Sequence, residues 1–170
     1  MAERIGIGVL GAGRIGIVHS RALATRLAGR AELRGIADPN LDAAKALAEE
    51  LGVARAEADP AALLADDSVD AVVICSSTDT HAQLVTDAAA AGKHAFCEKP
   101  LDLDLQRIDR VLAAVKESGV KLQLGFNRRF DPDFARVRER VTAGEIGAPE
   151  LLRITSRDPE PPPLAYVEVS

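Results

Sequence analysis

Short apolar segments alternate with segments of helical periodicity along the first 126 residues of this chain. Strands of a parallel sheet that is covered by helices are apolar on both sides, and these segments have that character. The alternation therefore predicts an α/β fold, a doubly wound Rossmann-type parallel sheet with helices on both faces. Six strands are predicted, at residues 5–10, 32–37, 53–56, 70–77, 94–97 and 121–126.

The helix after the first strand is predicted over Arg14–Leu27, because its apolar residues recur at helical spacing. Gly29 follows in the position of a glycine C-cap, and Gly52 and Gly119 are predicted to end two later helices. Both His19, on this helix, and His94 are predicted to be packing residues. The predicted buried stripe of the helix comprises Ile15, Val18, Ala22 and Leu23.

The alternation of strands and helices stops after residue 126. A polar helix is predicted over residues 132–143 and a strand over residues 150–156, followed by a proline cluster and the start of another strand. Such a change of pattern indicates a second domain. We predict a Rossmann domain at residues 1–126 and the start of a truncated C-terminal α+β domain at residues 127–170.

The composition excludes several classes of partner. A net charge of −5 and an aromatic content of 3% disfavour nucleic acid, because phosphates need a basic surface and single strands need stacking side chains. No apolar run approaches the roughly 20 residues of a membrane helix. The chain begins directly with a strand pattern, so we expect a cytoplasmic protein. Cys75 and Cys97 have no metal-ligand or redox spacing, so we expect buried thiols and no metal site.

The sequence Gly-Ala-Gly-Arg-Ile-Gly lies between a predicted strand and a predicted helix, as a dinucleotide-binding turn requires. Here Gly11 allows a tight turn, Gly13 leaves room for a pyrophosphate, and Gly16 lets the helix approach the strand. The unpaired N–H groups at the helix start then face the pyrophosphate. A plain strand-to-helix turn is the alternative. The predicted cofactor-binding residues of this turn are Gly11, Gly13, Arg14, Ile15 and Gly16.

Asp38 ends the second predicted strand, where a carboxylate can accept hydrogen bonds from both hydroxyls of the adenosine ribose. A charge-assisted hydrogen bond of this kind contributes about 1.5–3 kcal/mol. The same carboxylate repels a 2′-phosphate, and no arginine directly follows it. We therefore predict NAD rather than NADP as the cofactor. A turn role before Pro39 is the alternative, and the two roles are compatible.

Three further polar segments follow predicted strands, where an open parallel sheet binds its ligands. They are Ser76-Ser77-Thr78-Asp79-Thr80-His81, Cys97-Glu98-Lys99-Pro100 and Gly125-Phe126-Asn127-Arg128-Arg129-Phe130. Together with the glycine turn, these segments resemble the glucose-fructose oxidoreductase/inositol dehydrogenase/rhizopine-catabolism family (Gfo/Idh/MocA). The closing residues of the chain look most similar to the inositol 2-dehydrogenases of that family.

The resemblance implies an NAD-dependent oxidoreductase that converts a secondary alcohol of a cyclic polyol or sugar into a ketone. It implies that Lys99 is catalytic and reaches both the substrate hydroxyl and the nicotinamide, where an ammonium stabilises the developing alkoxide. An ordinary surface lysine is the alternative. Asn127 and Arg128 match positions that line the family's substrate pocket, with a polar loop as the alternative. The peptide between Lys99 and Pro100 is often cis in the family.

The resemblance also implies cofactor contacts after the fourth and fifth strands. The residues concerned are Ser76, Ser77, Thr78, Glu98 and Lys99. For His81, near the start of the next helix, two roles stay open, a cofactor contact or a helix cap.

The chain departs from the family pattern at its end. The family's second half supplies an antiparallel sheet and a helix with the general base, and the chain ends before that helix. We therefore expect the 170-residue chain to bind cofactor better than it turns over. The resemblance also implies that the full-length form is a homo-oligomer. A non-catalytic NAD-binding module or sensor is the main alternative. An S-adenosylmethionine-dependent methyltransferase is a weaker one, which Glu98-Lys99-Pro100 disfavours.

Overall fold

The structure of the protein is a computed structural model that describes residues 4–157. The chain divides into two compact units between Gly125 and Phe126. No helix among the described residues is long and apolar enough to cross a membrane.

The first unit is a parallel sheet of six strands with five helices. The strands are β1 (Ile5–Leu10), β2 (Ala31–Ala37), β3 (Ala56–Glu57), β4 (Ala71–Ile74), β5 (His94–Cys97) and β6 (Leu122–Leu124). The helices are α1 (Arg14–Ala24), α2 (Leu41–Leu51), α3 (Ala61–Leu64), α4 (Thr78–Ala90) and α5 (Leu105–Ser118). The strand order is β3-β2-β1-β4-β5-β6, and all observed pairs are parallel. The predicted doubly wound Rossmann fold is confirmed.

Adjacent residues of the central strand β1 point into different core layers. Val9 packs in one cluster with Leu23 of α1, whereas Leu10 packs in another with Val85 of α4. Successive side chains of a strand face opposite sides of the sheet, so helices cover both faces. The chain order reverses between β1 and β4, which is where open α/β sheets bind ligands.

Two glycines end helices as the sequence predicts. Gly52 follows α2 with φ +67°, and Gly119 follows α5 with φ +73°. This left-handed conformation is easy for glycine because it has no Cβ. At the other ends, the side chains of Asn40 and Asp104 accept hydrogen bonds from the first turns of α2 and α5.

The predictions for α1 are wrong in two respects. The helix stops at Ala24, where the Thr25 N–H bonds the Arg21 carbonyl, so Gly29 is not its cap. Its buried residues are Gly16, Ser20 and Leu23, whereas the predicted Ile15 and Val18 are 38% and 58% exposed. Leu23 is buried as predicted, but the other buried residues, Gly16 and Ser20, are small, so apolar periodicity identifies only part of the buried face.

The second unit contains a 3-10 turn at Asn127–Arg129 and helix α6 at Pro132–Thr142. Helix α6 starts with Pro132, and the Asp131 carboxylate accepts hydrogen bonds from the backbone N–H groups of Asp133 and Phe134. None of its residues is buried.

The strand predicted over residues 150–156 is absent from this part of the structure, and the prediction is wrong for the described residues. Leu151 and Ile154 are 88% and 70% exposed. A strand needs a neighbour that pairs with its backbone groups, and no described strand pairs with this segment. The proline cluster and the last predicted strand lie outside the described residues.

Replacing Leu63 by alanine tests this core directly. The Leu63 side chain is fully buried beneath the sheet, and a Cβ on Gly35 of β2 would come within 2.6 Å of it. We expect Leu63→Ala to lower the free energy of unfolding by about 2–5 kcal/mol, measured by urea denaturation. Leu105→Ala is the matched control, because Leu105 is 76% exposed. Equal effects of the two changes would contradict the assigned core.

Candidate functional site

The glycine turn joins the end of β1 to the start of α1. Gly11 has φ +110°, and a Cβ there would lie 2.6 Å from the Cys75 carbonyl oxygen. A Cβ on Gly16 would lie 1.9 Å from the Gly11 carbonyl oxygen. A Cβ on Gly13, in contrast, would meet no protein atom within 4 Å. Gly11 and Gly16 are therefore required by the fold itself, whereas the space beside Gly13 is open to a ligand.

The N-terminus of α1 is free of side-chain partners among the described residues. Gly13 occupies the N-cap position, no side chain caps the helix, and its first turn has no acidic residue. The Ile17 N–H makes the first helical bond, to the Gly13 carbonyl. Free N–H groups and the helix dipole favour an anion here. Arg14 and Ile15, the first two helical residues, are exposed at this end.

Asp38 lies directly after β2, and its carboxylate holds the glycine turn. Its Oδ2 accepts a hydrogen bond from the Ala12 N–H at 2.7 Å, and its Oδ1 accepts one from the Asn40 N–H at 2.8 Å. The turn role that the sequence leaves open is therefore present. Each carboxylate oxygen accepts more than one hydrogen bond, so this role leaves room for ribose hydroxyls.

A cavity of about 350 Å³ lies between the glycine turn, Asp38 and the loop after β4. Its lining residues are Leu10, Gly11, Ala37, Asp38, Pro39, Pro60, Ser76, Ser77, Thr80 and Leu84. The open space at Gly13, the uncapped helix and this cavity together fit a dinucleotide such as NAD, with its pyrophosphate at the helix and its adenosine beside Asp38.

The loop after β4 carries Ser76, Ser77 and Thr78. The Ser76 and Thr80 hydroxyls are 2.6 Å apart, and the Thr80 hydroxyl donates to the Ser77 carbonyl. These bonds fix the loop on the first turn of α4. Ser76 and Ser77 border the cavity, and Thr78 is the first residue of α4. Their role as cofactor contacts stays a prediction.

Glu98 and Lys99 follow β5, the next strand of the sheet. Lys99 is exposed, and no ion pair found in the described part of the chain involves its ammonium group. Lys99 follows β5 at the edge of the sheet where the loop after β4 also lies, and its catalytic role stays a prediction. The Lys99–Pro100 peptide bond is cis.

The His81 side chain does not cap α4, and its role as a cofactor contact stays a prediction. Its ring is 2% exposed. Nδ1 lies 2.7 Å from the Pro100 carbonyl oxygen, and Nε2 lies 3.2 Å from the Ser76 carbonyl oxygen. The side chain therefore connects the loop after β4 to the loop after β5.

The sequence also gave no signal for the contact between His19 and Glu98. His19 Nε2 lies 2.9 Å from Glu98 Oε1, and its ring packs edge-on against Phe96. This contact links α1 to the residue before Lys99. His19 therefore packs, as predicted, and also contacts Glu98. The sequence does not reveal this contact because the two residues are 79 positions apart and share no local pattern.

Cys75 and Cys97 are free, buried thiols, as predicted. Burial raises the pKa of each to about 12, and the negative charge of Glu98 adds to the effect. The thiolate is the reactive form of cysteine, so neither residue is a nucleophile near neutral pH.

Asn127 and Arg128 lie in the second unit and are exposed. The Arg128 guanidinium carbon lies 4.9 Å from the centre of the Phe134 ring, a cation–π distance. A cavity of about 720 Å³ in this unit is larger than the one at the glycine turn and includes Arg128, Phe134 and Arg138 in its lining. Substrate contact by Asn127 and Arg128 stays a prediction.

Comparison with known proteins agrees with this geometry. Residues 5–126 match the sequence profile of the Gfo/Idh/MocA family, described as an oxidoreductase family with an NAD-binding Rossmann fold. The chain belongs to the Gfo/Idh/MocA family. The predicted resemblance is thereby confirmed, and so is NAD as the cofactor. Nothing in the match favours S-adenosylmethionine.

Curated Gfo/Idh/MocA relatives cover almost the whole chain. The myo-inositol 2-dehydrogenase of Thermotoga maritima is 50% identical over 164 residues, which are 96% of this chain and 48% of the relative. The inositol 2-dehydrogenase of Rhizobium meliloti is 47% identical over 165 residues, again 96% of this chain and 48% of the relative. The chain therefore spans about half the length of these relatives.

Solved structures of Gfo/Idh/MocA proteins share the fold. A crystal structure of a probable dehydrogenase from Thermotoga maritima matches with a TM-score of 0.91 and 49% identity, covering 98% of this chain and 49% of that one. The scyllo-inositol dehydrogenase of Lactobacillus casei, with bound NAD(H) and scyllo-inositol, matches with a TM-score of 0.81 and 34% identity. This second match covers 85% of this chain and 43% of the other.

Replacing Gly13 or Gly16 by alanine tests whether each glycine leaves space for a ligand or allows the protein itself to pack closely. We expect Gly13→Ala to change the free energy of unfolding by less than about 0.5 kcal/mol, because its Cβ meets no protein atom within 4 Å. We expect the Gly13→Ala variant to bind NAD at least about tenfold more weakly, since the added methyl group occupies the space predicted for the pyrophosphate. Gly16→Ala loses about 1–3 kcal/mol of stability through overpacking.

Thermal unfolding without cofactor and calorimetric titration with NAD measure the two effects. Wild-type NAD affinity in Gly13→Ala would contradict the position assigned to the pyrophosphate.

Proposed function

We propose that the protein is a cytoplasmic NAD-dependent dehydrogenase that oxidises a secondary alcohol of a cyclic polyol, an inositol in particular, to a ketone. Residues 1–126 are its NAD-binding domain, and residues 127–170 begin its substrate domain. The relatives named inositol 2-dehydrogenase support the substrate class. The full-length protein is proposed to act as a homo-oligomer.

The observation that carries the proposal is an exposed lysine, Lys99, at the edge of the sheet where the glycine turn lies. Lys99 follows β5, and β5 pairs with β4, whose loop lines the cavity at the glycine turn. An exposed ammonium therefore lies at the same edge of the sheet as the predicted cofactor site. A cation at this edge favours a dehydrogenase over a non-catalytic NAD-binding module, because it can stabilise the negative charge that develops on the substrate oxygen.

Each predicted site residue has a role in this proposal. Gly11, Gly13 and Gly16 shape the turn, and the N–H groups of Arg14 and Ile15 bind the pyrophosphate. Asp38 binds the adenosine ribose. The loop residues Ser76, Ser77 and Thr78, together with Glu98, line the nicotinamide half of the crevice.

Lys99 is the proposed catalytic residue of this part of the protein. When bound, NAD supplies the acceptor for the hydride that leaves the carbinol carbon. The Lys99 ammonium donates a hydrogen bond to the substrate oxygen and stabilises the negative charge that develops on it. The side chains of Asn127 and Arg128 supply hydrogen-bond donors, and Asn127 also an acceptor, which suit the hydroxyls of a polyol. A general base accepts the hydroxyl proton as the hydride leaves.

Turnover by the protein expressed from its complete gene tests the proposal. We expect NAD reduction with at least one inositol, followed through the absorbance band of the reduced nicotinamide. Lys99→Ala should lower kcat by about 10²–10³-fold and leave NAD affinity within a few fold, because Lys99 does not hold the adenosine half.

Lys45→Ala is the control variant, since Lys45 is exposed on α2. Full turnover in Lys99→Ala would remove Lys99 from the mechanism. Tight NAD binding without oxidation of any polyol or sugar would favour the non-catalytic module instead.

A further inference from the structure

We propose that His81 is a positioning residue for Lys99. The inference rests on the proposed function, because it concerns the residue that meets the substrate oxygen. His81 belongs to α4, and its ring is almost entirely buried, at 2% exposure. It therefore has no direct access to a substrate, and it acts through the two loops that it contacts.

The two contacts of the ring are with backbone oxygens on neighbouring loops. Pro100 directly follows Lys99, and its carbonyl oxygen lies 2.7 Å from His81 Nδ1. Ser76 directly follows the buried Cys75 after β4, and its carbonyl oxygen lies 3.2 Å from Nε2. The ring therefore lies between the loop that carries Lys99 and the loop that lines the cofactor cavity.

The chemistry of the ring indicates which contact matters more. A carbonyl oxygen only accepts hydrogen bonds, and a neutral imidazole has one N–H to donate. The shorter contact is the one to Pro100, so we place the N–H on Nδ1, where it donates to that oxygen. A buried carbonyl that loses its donor costs about 1–3 kcal/mol, so this bond holds the backbone beside Lys99.

Lys99 depends on this backbone anchor because its side chain has little else to fix it. It is exposed and takes part in no ion pair within the described residues. The backbone N of Lys99 lies 3.3 Å from Glu98 Oε2, which is a long hydrogen bond to the preceding residue. A shift of the peptide at Pro100 therefore moves the ammonium away from the substrate oxygen. A misplacement of about 1 Å can lower a rate by roughly 10²-fold.

Two amide variants of His81 form a matched pair for the test. In asparagine the side-chain nitrogen is bonded to Cγ, as Nδ1 is in histidine, so His81→Asn keeps a donor near the Pro100 oxygen. In glutamine the nitrogen is one atom further out, so His81→Gln moves the donor toward the Ser76 oxygen. Both side chains are neutral and carry the same group. A purely structural role would change the stability and the kcat of the two variants together.

The measurements use the protein expressed from its complete gene, with an inositol as substrate. We expect His81→Gln to lower kcat by roughly 10- to 100-fold and to leave the Kd for NAD within a few fold. His81→Asn keeps kcat within a few fold of wild type. Melting temperatures are recorded for both, and His81→Phe replaces the glutamine variant if the latter does not fold.

Three results would overturn the proposal. An equal loss of kcat in His81→Asn and His81→Gln would show that the Nδ1 donor is not what matters. A loss of NAD affinity as large as the loss of kcat would place His81 in cofactor binding. Lys99→Ala is measured in parallel: wild-type turnover there removes the proposed function of Lys99 and this inference with it, whereas an inactive Lys99→Ala beside a fully active His81→Gln overturns the inference alone.

Discussion

The contact between Gly16 and the Gly11 carbonyl determines where α1 lies on the sheet. A Cβ at residue 16 would come within 1.9 Å of that oxygen, so the helix reaches this position only with glycine there. The close approach directs the uncapped start of α1 toward the space beside Gly13. Asp38 then holds the turn from the neighbouring strand through the Ala12 N–H at 2.7 Å. The position of α1, the open space beside Gly13 and the position of the Asp38 carboxylate therefore depend on one set of contacts.

Two histidine contacts lie at the same edge of the sheet, one from the buried His81 and one from the partly buried pair His19 and Glu98. His81 connects the loops after β4 and β5, and His19 connects α1 to Glu98. These contacts link α1, the loop after β4 and the loop that carries Lys99, although the residues that make them are far apart in sequence. Cys75 and Cys97 fill the core beneath them as protonated thiols, because burial raises the pKa of each to about 12.

Local patterns predict the parts of this structure that local physics decides. The six strands, the helix ends at Gly52 and Gly119, and the glycine turn follow from apolar runs and from the conformational freedom of glycine. Predictions fail where distant contacts decide. Small residues make the closest contact between α1 and the sheet, so the buried face of α1 is predicted only in part. The segment at 150–156 has strand-like residues but no described partner strand. The contacts of His81 and His19 depend on the fold as a whole.

Calorimetric titration of the wild type and Asp38→Ala with both NAD and NADP tests the central claim, that Asp38 and the glycine turn form the NAD site. Loss of the Ala12 bond weakens both cofactors equally, because they share the pyrophosphate, whereas loss of the ribose contact weakens NAD alone. The account predicts that the preference for NAD over NADP falls roughly 10- to 100-fold in Asp38→Ala. An unchanged NAD/NADP ratio would contradict it.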